Sequence, residues 1–450
     1  MQSLLNVLIA IVAVAFVLGV MILVHEFGHY AVAKLCGVRV EVFSLGFGKR
    51  LLGFRRGDTD YRISALPLGG YVKMSGENPM EARTGDPSEF MSHPRWQRFL
   101  IAIAGPAMNV VLAVGIVTGV FMVHYAHDWY LDQPTRVGWV DENSPAAKAG
   151  LKPGDLIVKI DGTSNPLWED TKAKIAISPG QPVPLVVKRG DETLNITLVP
   201  DTYGPSRVGE AGLEAAPGIS VNSIEKDMPA YKAGIRQGDE IVAVNGNGLQ
   251  FITELTDYLQ KNKDKPVEIT AIHDGQSRNY QMTPVLGSNG EGAQKYLIGF
   301  IGGVRQHVDK LSFTQALGRS VEQNKKYAML LVELVQKMVE RKVSVKMMSG
   351  PVEIAKFSGE AAREPGWAPL LLLMAGISLN LGIFNLFPIP ILDGGVILLL
   401  LIESLMRRDI SLHIKERIYQ AAFVFLLLFA VMVIYNDLVK TLPGLSTRLP

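Results

Sequence analysis

Residues 4–24 read LLNVLIAIVAVAFVLGVMILV and run directly into His25-Glu26-Phe27-Gly28-His29. No ionisable side chain precedes His25, and an apolar run of this length is enough for a helix that crosses a bilayer. A cleaved signal peptide is the alternative, but the run lacks a basic start and a small-residue cleavage site. We therefore expect a transmembrane helix over residues 1–34 that carries a polar motif near its end.

Three further stretches of the 450-residue chain are almost free of charge. They are Phe99–Val123, the segment between Glu364 and Glu403, and Ile418–Asn436, and they predict spans over residues 98–124, 365–405 and 417–438. The net charge is only +2, which argues against a strongly basic nucleic-acid-binding protein, so no nucleic-acid partner is expected. A single cysteine excludes an internal disulfide framework and a zinc cluster built on cysteines.

The loop charges predict the orientation of the spans. Eleven Lys and Arg residues lie between Val24 and Phe99, and four more lie at 407, 408, 415 and 417, between the third and fourth runs. Both loops are therefore expected in the cytoplasm, and both termini outside. The long segment 124–364 is then extracytoplasmic, and its balanced charge does not oppose this, since long domains cross regardless of charge.

An internal duplication lies within the long segment. Ser144–Gly162 reads SPAAKAGLKPGDLIVKIDG and Met228–Gly246 reads MPAYKAGIRQGDEIVAVNG, with ten of nineteen positions identical. A short helix, a Gly-Asp turn, a strand and a second turn follow in each copy, which closely resembles PDZ domains of bacterial envelope proteases. Two PDZ domains are expected, over residues 125–215 and 216–300. The resemblance implies binding of peptides or protein C-termini, and a spacer that excludes bulky proteins is the alternative.

Residues 306–348 have the pattern of an amphipathic helix. Apolar side chains such as Leu330, Leu334 and Met338 alternate with charged ones such as Lys326, Glu333 and Lys337. Such a helix either lies on the membrane surface, with lipid as its partner, or packs on the transmembrane core.

The motif at the end of the first span predicts a metal site. His25 and His29 are four residues apart and share one helix face, so both imidazoles can reach one ion, and Glu26 is placed to activate a water. Asp393 is the only ionisable residue between Glu364 and Glu403, and it precedes a cytoplasmic loop as Glu26 does. We expect Asp393 to be the third ligand, since a carboxylate in lipid needs a partner. Histidines satisfied at the interface, and Asp393 as a helix N-cap, are the alternatives.

The residues before Asp393 cannot form an uninterrupted helix. Asn385 to Gly394 reads NLFPIPILDG, and its two prolines require backbone that is buried in protein or lines a watery cavity. Asn385 could hydrogen-bond a peptide backbone in that cavity, or it could satisfy a carbonyl freed by Pro388.

The two motifs and the tandem insert together resemble the site-2 protease family of intramembrane zinc metalloproteases, over essentially the whole chain. The resemblance implies one zinc ion held by His25, His29 and Asp393, with Glu26 as the general base. It also implies that Asn385 and Pro388 contact the substrate. Expected substrates are single-span membrane proteins already cut outside, such as an anti-sigma factor, and also remnant signal peptides, at the bacterial inner membrane.

The family also has a membrane-dipping β-hairpin after the first span, and residues 35–97 occupy that place. Its glycine-rich stretches would hold an unwound substrate as an added strand, or they would only brace the first span. The residues of these stretches predicted to bind substrate are Gly46, Phe47, Gly48, Gly69 and Gly70. In the second span, Gly105 and Asn109 are one helical turn apart and suit close helix packing.

The expected fold is thus a polytopic α-helical membrane protein with four transmembrane helices, a membrane-associated β-hairpin or sheet, and two extracytoplasmic PDZ domains of mixed β/α structure. The expected activity is hydrolysis of peptide bonds in or near transmembrane segments, with the PDZ pair as a size filter or sensor. A membrane-anchored PDZ scaffold with a structural metal site is the alternative. A metal transporter is disfavoured because the spans show no inverted repeat.

Overall fold

The computed structural model describes residues 2–77, 85–123, 125–128, 130–131, 133–204, 207–215, 218–249, 251–273, 275–288, 294–303, 306–344, 347–364 and 366–441. These form two compact units, residues 1–124 with 310–450, and residues 125–309. The helices are α1 (Gln2–Leu35), α2 (Arg95–Val123), α3 (Pro145–Lys148), α4 (Trp168–Ala176), α5 (Pro229–Ala233), α6 (Ile252–Asn262), α7 (Phe313–Val339), α8 (Pro351–Ala361), α9 (Ala368–Asn385), α10 (Asp393–Met406) and α11 (Leu412–Thr441).

The strands are β1 (Val40–Arg56), β2 (Thr59–Met74), β3 (Tyr125–Asp128), β4 (Trp139–Val140), β5 (Leu156–Ile160), β6 (Thr163–Ser164), β7 (Val183–Arg189), β8 (Glu192–Leu198), β9 (Asp201–Tyr203), β10 (Val208–Glu210), β11 (Leu213–Glu214), β12 (Ile219–Ile224), β13 (Glu240–Val244), β14 (Asn247–Gly248), β15 (Val267–His273), β16 (Gln276–Met282), β17 (Val285–Ser288), β18 (Gln294–Leu297), β19 (Phe300–Gly303) and β20 (Gln306–Asp309).

Four helices of the first unit are long and apolar enough to cross a membrane, as the charge-free runs predict. They are Leu5–Leu35, Arg95–Val123, Ala368–Asn385 and Leu412–Val439, in α1, α2, α9 and α11. α2 packs against α1 and α9 through small residues, since a Cβ on Gly28 would lie 2.4 Å from the Ala104 carbonyl oxygen. Most apolar side chains of α11 are exposed, as a lipid-facing helix requires.

The third predicted span is interrupted at its prolines. α9 ends at Asn385, irregular backbone follows, and α10 begins at Asp393. The irregular segment lies tightly over the first turn of α10, because a Cβ on Gly394 would be 2.2 Å from the Leu386 carbonyl oxygen. Ile391 has a φ of 92°, which is unusual for a β-branched residue and marks local strain. The break places Asp393 at a helix start inside the protein.

β1 and β2 form a sheet of four segments rather than a simple hairpin. Residues 42–45 pair with residues 70–73 on one side and with residues 60–63 on the other, and residues 50–56 pair with residues 59–64. Residues 70–74 are therefore an edge segment. Val40, Val72 and Met74 pack in a buried cluster with side chains of α1 and α2, which anchors this end of the sheet. At the far end Leu51, Leu52 and Phe54 are exposed.

The second unit contains two modules with separate hydrophobic cores. In the first, the sheet β6-β5-β7-β8 packs with α3 and α4 around residues such as Ile157, Leu185 and Trp168. In the second, the sheet β16-β15-β13-β12-β19 packs with α5 and α6 around residues such as Ile241 and Ile269. Each copy of the repeat supplies one short helix and one central strand. β3 pairs with β20, so the two ends of this unit lie side by side.

The predicted amphipathic segment forms α7, which packs against α2. The Ser320 hydroxyl donates to the Val114 carbonyl at 2.8 Å, and the Leu311 amide donates to the Phe121 carbonyl at 3.2 Å. The buried face of α7 therefore packs on the transmembrane core, which is one of the two arrangements expected from the sequence. The helix ends before Ser349-Gly350-Pro351, and Pro351 starts a further helix, α8, which the sequence interpretation does not include. The Asp437 carboxylate of α11 accepts the Val352 and Glu353 amides at the start of α8.

Candidate active site

Two histidines and one aspartate converge inside the first unit. His25 and His29 lie on one face near the end of α1, and Asp393 is the first residue of α10. The two Nε2 atoms are 3.2 Å apart, and the Asp393 carboxylate oxygens lie 3.2 Å from His25 Nε2 and 3.4 Å from His29 Nε2. Both histidines are 8% exposed, so the cluster is buried. The described residues hold no other group of three or more His, Cys, Asp or Glu side chains with this spacing.

The spacing of these atoms suits zinc. An ion with zinc–ligand lengths of about 2.0–2.1 Å and tetrahedral geometry separates its ligand atoms by about 3.3 Å. The three measured distances, 3.2, 3.2 and 3.4 Å, match that separation. Two imidazoles and one carboxylate are also a donor set that leaves a fourth position open. Asp393 does not cap α10 with its side chain, because the N-cap is Leu392.

α2 orients the His29 ring. Nδ1 of His29 is 2.8 Å from the carbonyl oxygen of Ile101, and a carbonyl only accepts, so Nδ1 carries the proton. The lone pair of a neutral ring is then on Nε2, the atom that faces Asp393. Gly105 makes this approach possible, since a Cβ there would lie 2.2 Å from Nε2. This contact agrees with the sequence interpretation of Gly105 as a helix-packing residue, since His29 lies on α1, and it adds that the neighbour is the ring of a predicted ligand.

Two asparagines contact His25. Nδ2 of Asn109, on α2, is 3.3 Å from Nδ1 of His25, and Nδ2 of Asn385, the last residue of α9, is 3.4 Å from Nε2. Asn109 is fully buried, whereas Asn385 is partly exposed and lines a cavity. Pro388 lies in the irregular segment that follows Asn385 and is not among the residues that line that cavity.

A cavity of about 440 Å³ opens beside the cluster. Glu26 lines it together with the three predicted ligands, so a carboxylate outside the ligand set faces the same space. The edge segment of the sheet forms part of its wall through Tyr71, Val72 and Met74. Glu26 and the edge segment therefore face the same cavity.

The predicted substrate-binding residues of the sheet are at different distances from this cavity. Gly70 is close, since a Cβ there would lie 3.4 Å from Cγ of Glu26 and 2.8 Å from the Ser44 carbonyl oxygen. The Phe47 ring stacks on Tyr71 with centroids 5.9 Å apart, and a Cβ on Gly69 would collide with that ring. Gly46 packs against the Leu66 carbonyl, away from the cavity lining. A Cβ on Gly48 would have no neighbour within 4 Å.

Sequence reasoning missed the charged end of the cavity. Arg98, Glu403, Lys415 and Tyr419 line it, and Lys415 Nζ is 2.6 Å from Glu403 Oε1 in a buried ion pair. Lys415 appears in the sequence only as one of several loop cations, so no local signal marks its burial. Asn109 does carry a local signal, because a polar side chain in an apolar span needs a partner.

Comparisons with known proteins find relatives over nearly the whole chain. The sequence model described as peptidase family M50 matches residues 13–429. The chain is 32% identical to the regulator of sigma-E protease RseP of Salmonella typhimurium, over 96% of this chain and 99% of that protein, and 32% identical to RseP of Escherichia coli, over 93% and 96%. It is 31% identical, over 95% of this chain and 98% of that protein, to a Vibrio cholerae protein that carries a zinc-metalloprotease name. Among solved structures, a PDZ domain of an SdrC-like protein from Listeria monocytogenes matches 20% of this chain and 90% of that chain, at 22% identity and a TM-score of 0.18.

Proposed function

The chain belongs to peptidase family M50 and is an inner-membrane zinc metalloprotease of the site-2 type, and on that premise we propose that it cuts single-span membrane proteins within their transmembrane segments. The observation that carries the proposal is the triangle of His25, His29 and Asp393 ligand atoms at 3.2–3.4 Å, with Glu26 facing the same cavity. These three residues would hold one zinc ion.

When bound, the ion supplies Lewis acidity that activates water and the scissile carbonyl. The remaining roles fall to side chains of the chain. Glu26 takes a proton from the attacking water and later delivers it to the leaving amine, so it serves first as general base and then as general acid. Asn385, at the rim of the irregular segment, donates its amide to the substrate backbone, and Pro388 shapes that segment. The chemistry is therefore hydrolysis of a peptide bond.

A helical substrate must be unwound before its peptide bond can be attacked. The edge segment 70–74 has residues 42–45 on one side, and no described strand pairs with its other side. Because its Tyr71, Val72 and Met74 line the cavity, an extended substrate added along this edge would lie next to Glu26. The exposed Leu51, Leu52 and Phe54 suit contact of the sheet with lipid. These features favour a substrate clamp over a brace.

The substrate class follows from the relatives and from the insert. The proteins named regulator of sigma-E protease point to an anti-sigma factor as substrate. We place the insert of residues 125–309 and both termini outside the cytoplasm, by the charge of the loops. Its two repeat modules would be PDZ domains that exclude substrates with a bulky outer domain, so cleavage would require a prior cut outside.

The central test is cleavage of a purified single-span substrate that lacks its outer domain. Wild type should cut it, chelation should stop the reaction and zinc should restore it. Glu26→Gln should abolish cleavage but keep zinc bound. Glu360→Gln, at an exposed glutamate on α8, is the matched control and should cut normally. Normal cleavage by Glu26→Gln would refute the mechanism, and partner binding without any cleavage by wild type would favour the scaffold alternative.

The clamp and the filter have separate tests. A photo-crosslinking residue at Lys73, an exposed position between the cavity-lining Val72 and Met74, should capture substrate, while one at the exposed Arg55 on the opposite edge should not. Equal capture at both positions would contradict the clamp.

The size filter is tested with a substrate that keeps its outer domain. Restoring the outer domain should slow cleavage by wild type, and equal cleavage rates for both substrates would contradict the filter.

A further inference from the structure

We propose that Asn109 is a positioning residue of the metal centre, whose side-chain oxygen accepts the Nδ1–H of His25 and so keeps the Nε2 lone pair of His25 available to the ion. The inference rests on the proposed function, because it takes His25 as a ligand. Asn109, in the second span, thus acts through a zinc ligand rather than on the substrate.

The carboxamide of Asn109 can take two orientations beside the His25 ring. The side chain has 0% exposure, and its amide nitrogen is 3.3 Å from Nδ1 of His25. Its Oδ1 atom is buried without a hydrogen-bond partner among the described residues. A buried oxygen without a donor is unfavourable, because it has lost its hydrogen bonds to water and gained none in the protein. The two ends of a carboxamide are interchanged by a simple rotation, so the protonation of His25 selects between them.

Only one orientation of the Asn109 carboxamide is compatible with zinc binding by His25. If the Asn109 amide donated to Nδ1, the proton of a neutral His25 would have to be on Nε2, the atom 3.2 Å from the Asp393 carboxylate. A protonated Nε2 cannot bind a metal ion. With the amide turned over, Oδ1 accepts from Nδ1–H, the orphaned oxygen gains its donor, and Nε2 is left free.

Asn109 is held firmly enough for this role. Its backbone carbonyl accepts a hydrogen bond from the Ser378 hydroxyl of α9 at 3.0 Å. α9 is also close at Gly382, where a Cβ would lie 2.9 Å from the Pro106 carbonyl oxygen and 3.4 Å from Cβ of Asn109. α2 therefore contacts Nδ1 of both ligand histidines, with the Ile101 carbonyl at His29 and the Asn109 side chain at His25. Only the second contact can be removed by a side-chain substitution.

The test is the zinc affinity of the full chain in detergent, measured by competition with a chelator. Asn109→Leu keeps the approximate volume but removes the acceptor, and it should weaken zinc binding about 10–100-fold, the range for lost outer-shell partners. Asn109→Asp keeps an acceptor and should stay close to wild type. Asn380→Leu, at an exposed position of α9, is the control for an Asn-to-Leu change in a span and should have wild-type affinity.

Activity gives a second readout, since cleavage by Asn109→Leu should return towards the wild-type rate at saturating zinc if only ligand positioning is lost. Where Asn109→Leu does not fold, Asn109→Ala against Asn109→Asp gives the same comparison. Wild-type zinc affinity in the variants without an acceptor would overturn the inference, as would equal weakening in Asn109→Asp. A wild-type protein that binds no zinc would instead refute the proposed function, and the inference with it.

Discussion

Replacing Gly105 by alanine should displace His29 from the metal centre. Gly105 lies on α2 directly against the His29 ring, and a Cβ there would be 2.2 Å from Nε2, 2.6 Å from Cε1 and 2.8 Å from Cδ2. The ring cannot turn away freely, because its Nδ1–H donates to the Ile101 carbonyl one turn earlier on the same helix. One methyl group therefore pushes on a ligand atom and on the hydrogen bond that orients it.

The size of the effect follows from these distances. The Nε2 atom must withdraw by about 1.2 Å to reach an ordinary contact of 3.4 Å. Metal sites tolerate about 0.2 Å in ligand position. We therefore expect zinc affinity to fall at least about 100-fold, the upper end for disturbed outer-shell partners, since here a ligand itself moves.

The assay is chelator competition for zinc, followed by cleavage of a single-span substrate at matched zinc. Gly115→Ala is the matched control, because it lies on the same helix and a Cβ there has no neighbour within 4 Å. Both changes raise helix propensity by about 1 kcal/mol, so that contribution cancels. Gly105→Ala with the zinc affinity and cleavage rate of Gly115→Ala would refute the assignment of Gly105 to the metal site.

Three further predictions concern stability. In the first insert module, burial raises the pKa of the Asp155 carboxyl, but hydrogen bonds from Arg189 and from the Lys152 amide outweigh burial and leave this pKa below its usual range. The Asp155–Arg189 pair therefore stabilises the module above about pH 4, where the carboxyl is ionised in both the folded and the unfolded chain. This stabilisation is lost as the pH falls through the lowered pKa. Arg189→Gln should destabilise the first module at neutral pH, because it leaves the Asp155 carboxylate without its cation, and the loss should be seen as faster hydrogen exchange in β5 and β7 of the full chain. Unchanged exchange would contradict the pairing. Lys415→Met should destabilise the first unit by about 3–5 kcal/mol, because it leaves Glu403 buried without its cation. Adding Glu403→Leu should recover part of that loss in thermal unfolding, and a double variant less stable than the single variant would contradict this account of the pair. Ile391→Gly should raise the unfolding temperature, since it relieves about 1–3 kcal/mol of backbone strain, and a lower temperature would count against strain at this position.

The cluster of His25, His29 and Asp393 was predictable because its signals are local. A spacing of four residues places His25 and His29 on one helix face, whatever surrounds the helix. Asp393 stands out because a lone carboxylate in an apolar segment is costly without a partner. The structure brings all three within one cluster, with ligand atoms no more than 4.8 Å apart. The four spans follow from length and composition in the same way, and the structure has four helices long and apolar enough to cross a membrane.

Other parts of the site depend on tertiary packing and carry no local signal. The acceptor for His29 is the backbone carbonyl of Ile101, and any residue type supplies a carbonyl. The neighbour of Gly105 is a ring 76 positions earlier in the chain, so spacing within α2 can only indicate that something approaches closely. The pairing of residues 42–45 on both sides, which leaves residues 70–74 at the edge, arises from irregular register that strand patterns do not encode.

The position of the cut in the substrate distinguishes cleavage inside the membrane from cleavage in water. Wild type and Glu26→Gln would be reconstituted in liposomes with a single-span substrate that lacks its outer domain, and the products would be mapped by mass spectrometry. We expect a zinc-dependent cut inside the apolar segment of the substrate, made by wild type and absent with Glu26→Gln. A cut found only in the water-exposed flanks, or one that Glu26→Gln also makes, would contradict intramembrane cleavage with Glu26 as the base.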